Sequence, residues 1–262
     1  MADPDRPRPP GPRTLVIDVG GSGLKATVLD PDGEPEHDRV RVKTTYPCPP
    51  ERLVAELVGL VAPLPHHDRV SVGFPGVVRE GHVVTAPAFV TTGGPGTETD
   101  ADLLARWSGF DLAAALERAL GAPTRVANDA DVQGAGVSSG RGLELILTLG
   151  TGLGSTVFRD GRLALHLELA HQPASSGVHY NEYLGDAARK KVGKKQWNRR
   201  VARALRAFDV LVGPDAILVG GGNAEKVDLD GLRSHEPEVA AKVRQVGNAG
   251  GLLGGIRLWD DA

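Results

Sequence analysis

Two glycine-rich turns hold the residues best suited to chemistry. The first is Asp18-Val-Gly20-Gly21-Ser22-Gly23-Leu-Lys25 and the second is Thr148-Leu-Gly150-Thr151-Gly152-Leu-Gly154, about 130 residues later. Each joins two β-branched or aliphatic runs, which predicts strand, tight turn, strand. Glycine reaches dihedrals closed to other residues and has no Cβ, so successive amide N–H groups can converge on one phosphate oxygen. The Ser22 and Thr151 hydroxyls add rotatable donors. Repetition at this spacing implies two similar lobes, and two such turns facing each other would grip a chain of phosphates. Taken singly, each turn is also compatible with an ordinary glycine-rich hairpin.

Other glycine motifs fail on context. A P-loop needs a helix after its lysine, whereas Lys25 runs into the strand-like Ala26–Leu29. A dinucleotide fingerprint also needs a following helix, and Gly154 runs into Ser-Thr-Val-Phe158. Gly136-Val-Ser138-Ser-Gly140 matches a nucleophile elbow in letters, but it follows a helical segment and precedes a strand, the reverse of what an elbow requires.

Composition narrows the class further. The 262 residues are 40% hydrophobic and 24% charged, enough for a well-buried core in one large domain or two moderate lobes. With 30 basic and 33 acidic residues the net charge of −3 gives no general attraction to nucleic acid or anionic membrane. The single cysteine, Cys48, excludes an internal disulfide and a cysteine-based zinc site, so no zinc is expected. Residues 1–13 are proline-rich and lack the apolar stretch of a signal peptide, which predicts a disordered tail and a cytoplasmic protein. No apolar run approaches a membrane span.

The elements that must position the turns follow from periodicity. A helix is expected over about Pro50–Val61, with Leu53, Val54, Leu57, Leu60 and Val61 on one face. Val70–Val78 reads as a strand ending in the Pro75-Gly76 loop, which would border a site. Thr91–Thr97 is a glycine-rich surface loop, and Phe110–Leu120 a helix closed by Gly121. Thr124–Ala127 is a short strand, after which Asn128 or Asp129 begins a helix. Leu145–Phe158 and Leu163–Leu169 form a meander turning at Asp160-Gly161. Helices near Tyr180–Val192 and Gln196–Val212 precede the strand Ala216–Val219, which enters a third glycine loop, Gly220-Gly221-Gly222-Asn223. Residues 248–258 complete the chain as a helix.

With these residues in order, the chain resembles the ROK family of sugar kinases, in its polyphosphate glucokinase-like branch. The resemblance spans nearly everything after the tail. It implies an α/β fold of duplicated ribonuclease H-like (actin-like ATPase) lobes, with mixed sheets flanked by helices and a central cleft. The lobes would be 14–127 and 128–246, with 247–262 a helix returning toward the N-terminal lobe. Implied roles are Asp129 as catalytic base toward a hexose 6-hydroxyl, and Asn128, Glu168, His171, Glu182 and Gly76 at the sugar. Gly20, Gly21, Ser22, Gly23, Lys25, Thr148, Gly150, Thr151 and Gly152 would bind phosphate. Gly220, Gly221, Gly222 and Asn223 would bind the nucleotide, and Asp18 would sit at Mg²⁺. The phosphoryl donor would be ATP, polyphosphate or both, and the assembly a homodimer.

Read without the family, Asp129 is also a helix N-cap, Glu182 a solvated helix residue, and Glu168-Leu-Ala-His171 half of a di-iron motif whose second half is missing. Two departures from the family pattern stand out. Ala170 replaces a motif glycine, and Ala88 stands where an asparagine is expected, which puts sugar identity in question. Sugar-responsive regulators of the family carry a winged-helix domain, and the 13 residues before the first strand are too few for one. Finally, Arg189–Arg200 collects seven cations, either a solvated helix face or a surface that steers polyphosphate.

Overall fold

The computed structural model describes residues 10–164, 167–247 and 250–260. The expectation of disorder over 1–13 therefore falls mostly outside the described residues. The chain divides into two compact units, one running through Gln133 and resuming at Leu252, the other Gly134–Gly251.

In the first unit the apolar runs become β1 (Thr14–Val19) and β2 (Leu24–Leu29), an antiparallel hairpin in which Asp18 lies opposite Lys25. Only Val40–Val42 of the polar stretch Arg39–Thr45 pairs with the sheet, as β3. Helix α1 (Pro50–Val61) opens with proline at its first position, where the missing N–H costs nothing. It leads to β4 (Arg69–Phe74), parallel to β1. A two-stranded ribbon, β5 (Val78–Arg79) and β6 (His82–Val83), follows.

Helix α2 (Ala101–Trp107), absent from the sequence reading, is capped by Asp100, whose carboxylate accepts the Leu103 N–H at 2.9 Å. Helix α3 (Leu112–Leu120) is capped by Asp111 and closed by left-handed Gly121 at φ 71°. Strand β7 (Thr124–Asn128) is parallel to β4 and passes directly into α4 (Asp129–Val137). The sheet order is β3-β2-β1-β4-β7. Its central strands are buried on both faces, as continuous apolar runs require. Phe74, Phe89 and Trp107 stack below with centroids 5.4–5.5 Å apart. Burying each ring contributes about 1.5–3 kcal/mol.

The second unit repeats the plan with β8 (Leu143–Leu149), β9 (Leu153–Arg159) and β10 (Arg162–Leu163). The expected strand Leu163–Leu169 ends early. Leu165 and His166 lie outside the described residues, and Leu169–His171 forms a 3₁₀ turn that buries Leu169 and Ala170. A ribbon of β11 (Pro173–Ser175) and β12 (Val178–His179) leads to α5 (Tyr180–Leu184). Helix α6 (Asp186–Val212) is broken at Gly193, φ 78°, where the sequence pattern separates two helices. Strand β13 (Ala216–Gly220), α7 (Leu229–His235), α8 (Pro237–Lys242) and β14 (Val243–Gln245) complete the unit. The order β10-β9-β8-β13-β14, with β8 antiparallel to β9 and parallel to β13, matches the first sheet strand for strand. This is the duplicated α/β fold expected from the sequence.

Helix α9 (Gly250–Arg257) lies in the first unit from Leu252 on, and its packing explains Gly255. A Cβ at Gly255 would come within 2.5 Å of Val16. The Gly255 carbonyl accepts the Ser71 hydroxyl, which itself accepts Trp259 Nε1–H at 2.8 Å. Trp259 lies between the Arg69 and Arg125 guanidinium groups at 5.3 and 4.5 Å.

Candidate active site

Three adjacent strands of the first unit deliver the expected residues to one edge. Register pairs Asp18 with Gly73 across β1 and β4, and Phe74 with Asn128 across β4 and β7. Asp18, the Pro75-Gly76 loop, Asn128 and Asp129 therefore gather at the carboxyl ends of parallel strands, where open α/β sheets bind ligands. Asn128 is buried, donates from Nδ2 to the Gly76 carbonyl at 3.0 Å, and accepts the Ala130 N–H at 2.9 Å. Asp129 accepts the same N–H at 2.8 Å and begins α4, whose positive dipole end suits a negative charge. Asn128 therefore fills the N-cap position, and Asp129, which the sequence reading also offered as a cap, takes the first helical position.

The first loop is held by residues the sequence analysis did not single out. Gly20 and Gly23 exchange backbone bonds at 3.0 and 3.4 Å, closing the turn. The Thr44 hydroxyl donates to the Gly20 carbonyl, and the Tyr46 hydroxyl to that of Gly21, both at 2.7 Å. With those carbonyls turned inward, exposed Ser22 forms the tip. A Cβ at Gly21 would meet Pro95 at 2.7 Å and Ala88 at 3.0 Å. Ala88 therefore abuts the first glycine loop, and its short side chain suits that close approach. Asp18 Oδ2 meets Lys25 Nζ at 3.0 Å and Arg39 at 3.5 Å.

The second loop is clamped by the third. Thr148 pairs with Gly220 across β8 and β13, which puts both loops at one sheet edge. Gly150 N–H donates to the Gly152 carbonyl at 3.0 Å. Asn223, 3% exposed, donates from its backbone to Leu149 O at 2.9 Å and from Nδ2 to Gly150 O at 3.1 Å, and its Oδ1 accepts Lys226 Nζ at 2.6 Å. Gly221 sits at φ +86° with room for no Cβ against Leu149. Asn181 Oδ1 accepts the Leu153 N–H at 3.0 Å and occupies the space where a Gly152 Cβ would go.

The structure corrects one part of the glycine argument. Gly20, Gly21, Gly23, Gly150 and Gly152 all lie outside the positive-φ region, and close neighbours rather than unusual dihedrals account for Gly20, Gly21, Gly23 and Gly152. Gly150 and Gly222 differ, as Gly59 and Gly247 do. Nothing lies within 4 Å of a Cβ at either, and neither has positive φ, so the fold itself makes no demand for glycine there.

Glu168 precedes the 3₁₀ turn and His171 ends it, with carboxylate and imidazole 4.0 Å apart. Ser155 Oγ anchors the turn by donating to Leu167 O and accepting Leu169 N–H. Tyr180 N–H reaches Gln172 O at 3.0 Å, tying α5 to the same turn, and Glu182 is exposed on that helix. Ala170 is 4% exposed in the second core with an ordinary backbone, so its methyl is accommodated without strain. Among the described residues no three of His, Cys, Asp and Glu cluster as metal ligands, and no helix is long and apolar enough to cross a membrane.

Comparison with known proteins accords with this arrangement. Polyphosphate glucokinase of Mycobacterium tuberculosis (strain CDC 1551 / Oshkosh) is 30% identical over 96% of this chain and 94% of its own. The crystal structure of inorganic polyphosphate/ATP-glucomannokinase from Arthrobacter sp. strain KM superposes with a TM-score of 0.71 at 26% identity, over 94% of this chain and 97% of that one. A ROK family glucokinase from Streptomyces griseus, solved with glucose and AMPPNP, shares the fold at 20% identity and TM-score 0.72, over 95% of this chain and all of that one. Residues 14–168, holding the first loop, Asn128-Asp129 and the second loop, match the ROK family model, and the chain belongs to the ROK family.

Proposed function

We propose that this protein is a hexose kinase, with glucose its leading acceptor, that transfers a phosphoryl group from ATP, inorganic polyphosphate or both to the sugar 6-hydroxyl. The observation that carries the reading is the gathering of Asp18, the Gly20–Gly23 turn, Gly76, Asn128 and Asp129 at one sheet edge, in a chain whose relatives are named for phosphorylating glucose.

Phosphoryl transfer makes few covalent demands and many positional ones. Asp129 accepts the proton of the 6-hydroxyl as that oxygen bonds to the terminal phosphorus, and the donor's bridging oxygen leaves with the remaining phosphates. Asn128 keeps one amide hydrogen and one lone pair for sugar hydroxyls after holding Gly76 and Ala130. Glu168 and His171 offer an acceptor beside a donor, apt for the alternating polarity of a pyranose. The place of Glu182 there rests on the resemblance alone. The amides of both loops, the Ser22 and Thr151 hydroxyls and Lys25 hold donor phosphates.

A magnesium ion held by one carboxylate plus donor oxygens and water needs no protein cage. Asp18 fits that part, since both its cationic neighbours contact the same oxygen, Oδ2. When bound, the ion would neutralise phosphate charge. A cytoplasmic homodimer is part of the same reading.

The test is glucose 6-phosphate formation from glucose with ATP or long-chain polyphosphate in the presence of Mg²⁺. Product with either donor is expected. Its absence with glucose, mannose and every other hexose tried, alongside calorimetric sugar binding, would favour instead a sugar-binding protein without turnover.

A further inference from the structure

A groove away from these loops runs along α6 in the second unit, a cavity of about 860 Å³ whose other wall is Val227 and α7. Lys194, Lys195, Arg199, Arg203 and Arg206 line it from α6, over an apolar floor of Val201, Leu205 and Leu232. From Lys194 to Arg206 that wall extends about 18 Å. The facing wall brings His235 and two carboxylates, both engaged: Asp228 caps α7 through the Gly231 N–H at 2.9 Å, and Glu236 pairs with Arg206 at 3.3 Å.

Three other members of the cationic run have local work. Arg189 and Lys190 hold Asp186, each at 2.7 Å, and Arg200 lies 4.2 Å over the Tyr183 ring. Arg203 reaches the Tyr183 hydroxyl at 3.4 Å. Lys194, Lys195 and Arg199 remain without a carboxylate partner among the described residues, on a wall whose low-dielectric floor focuses their field. Apart from the imidazole of His235 no aromatic ring lines the groove, so nucleic-acid bases have little to stack on, whereas a base-free phosphate chain needs none.

The groove also connects to the second phosphate loop. Asn198, on its wall, donates to Lys226 O at 3.1 Å and accepts Asp228 N–H at 2.7 Å. Lys226 Nζ donates to Asn223, and Asn223 to Gly150 O. An unbroken series of contacts thus links the cationic wall to the loop.

We propose that this groove is a binding site for inorganic polyphosphate, holding phosphate units of a long chain beyond those gripped at the glycine loops. Its consequence for catalysis rests on the kinase reading, but the binding itself does not.

The test compares wild type with Lys194→Ala/Lys195→Ala/Arg199→Ala, all exposed positions, and with the charge-keeping Lys194→Arg/Lys195→Arg/Arg199→Lys. Calorimetric titration uses long-chain polyphosphate, tripolyphosphate and a single-stranded oligonucleotide of equal charge. Expected for the alanine variant is at least about a tenfold loss of long-chain affinity and a salt slope shallower by about 2. Tripolyphosphate affinity and ATP-driven turnover should stay unchanged, and the charge-keeping variant should bind as wild type does. Unchanged long-chain affinity, or equal loss with tripolyphosphate, overturns the proposal. Equal affinity of the wild type for the oligonucleotide reassigns the groove to nucleic acid and overturns it too. If no hexose is phosphorylated with any donor, the kinase reading fails while the titration still judges the groove.

Discussion

Replacing Asn223 with alanine separates two jobs that one asparagine could have. The family resemblance places it at the nucleotide, whereas the structure spends its side chain on the second glycine loop. Its Nδ2 holds Gly150 O at 3.1 Å and its Oδ1 holds Lys226 Nζ at 2.6 Å, with the residue 3% exposed. Alanine removes one neutral bond, worth about 0.5–1.5 kcal/mol, and one charge-assisted bond, worth about 1.5–3 kcal/mol. The lysine can turn to water and recover part of the second, so the loss should be about 2–3 kcal/mol. For a chain of this size that lowers the melting temperature by about 5–10 °C. Because the loop itself is loosened, KM should rise for ATP and for polyphosphate alike. Thermal melts and initial rates with each donor make the measurement. A variant that melts within about 1 °C of wild type and loses affinity for ATP only would refute the clamp and return Asn223 to the nucleotide.

Three further outcomes follow from the same geometry. Gly152→Ala forces Asn181 away from the Leu153 N–H and should cost about 2–4 kcal/mol by melting, with a raised donor KM. Tyr46→Phe keeps the stack on Phe89 but leaves Gly21 O without its donor, so stability should fall by about 1 kcal/mol while KM rises for both donors. Burial pushes the Cys48 thiol up to about 12, with Glu56 adding to the rise, so the folded protein should resist a disulfide reagent at pH 8 and react once unfolded. Because the folded state favours the protonated thiol, its contribution to stability should be intact below pH 9.0, where the unfolded thiol titrates, and fade as pH rises toward 12.

The sheets were legible because their strands are buried on both faces and so appear as aliphatic runs, as in Leu15–Ile17 and Leu145–Leu147. Helix α2 was not, since seven residues after a glycine-rich loop give too few turns for periodicity to register. Leu163–Leu169 looked like strand by composition, yet its last residues enter the core through a 3₁₀ turn. Of the two glycine properties invoked for the loops, the missing Cβ applies and the unusual dihedral does not, because composition cannot distinguish a glycine that needs positive φ from one that a neighbour crowds. Crowding at Gly21 comes from Pro95 and Ala88, far along the chain. The same distance hid the clamps. Thr44 and Tyr46 lie 24 and 25 residues from the carbonyls they hold, and Asn181 lies 28 from Leu153. Nothing local marks such residues until the fold brings them in.

The central claim is that the Asp129 carboxylate deprotonates the sugar, and Asp129→Asn tests it most directly. Asparagine keeps an oxygen for the Ala130 N–H and leaves the Asn128 cap in place, but it cannot accept the proton. Turnover measured with glucose and each donor should fall by about 10²–10⁴, while sugar affinity and melting temperature stay close to wild type. Turnover within about tenfold of wild type would contradict the account.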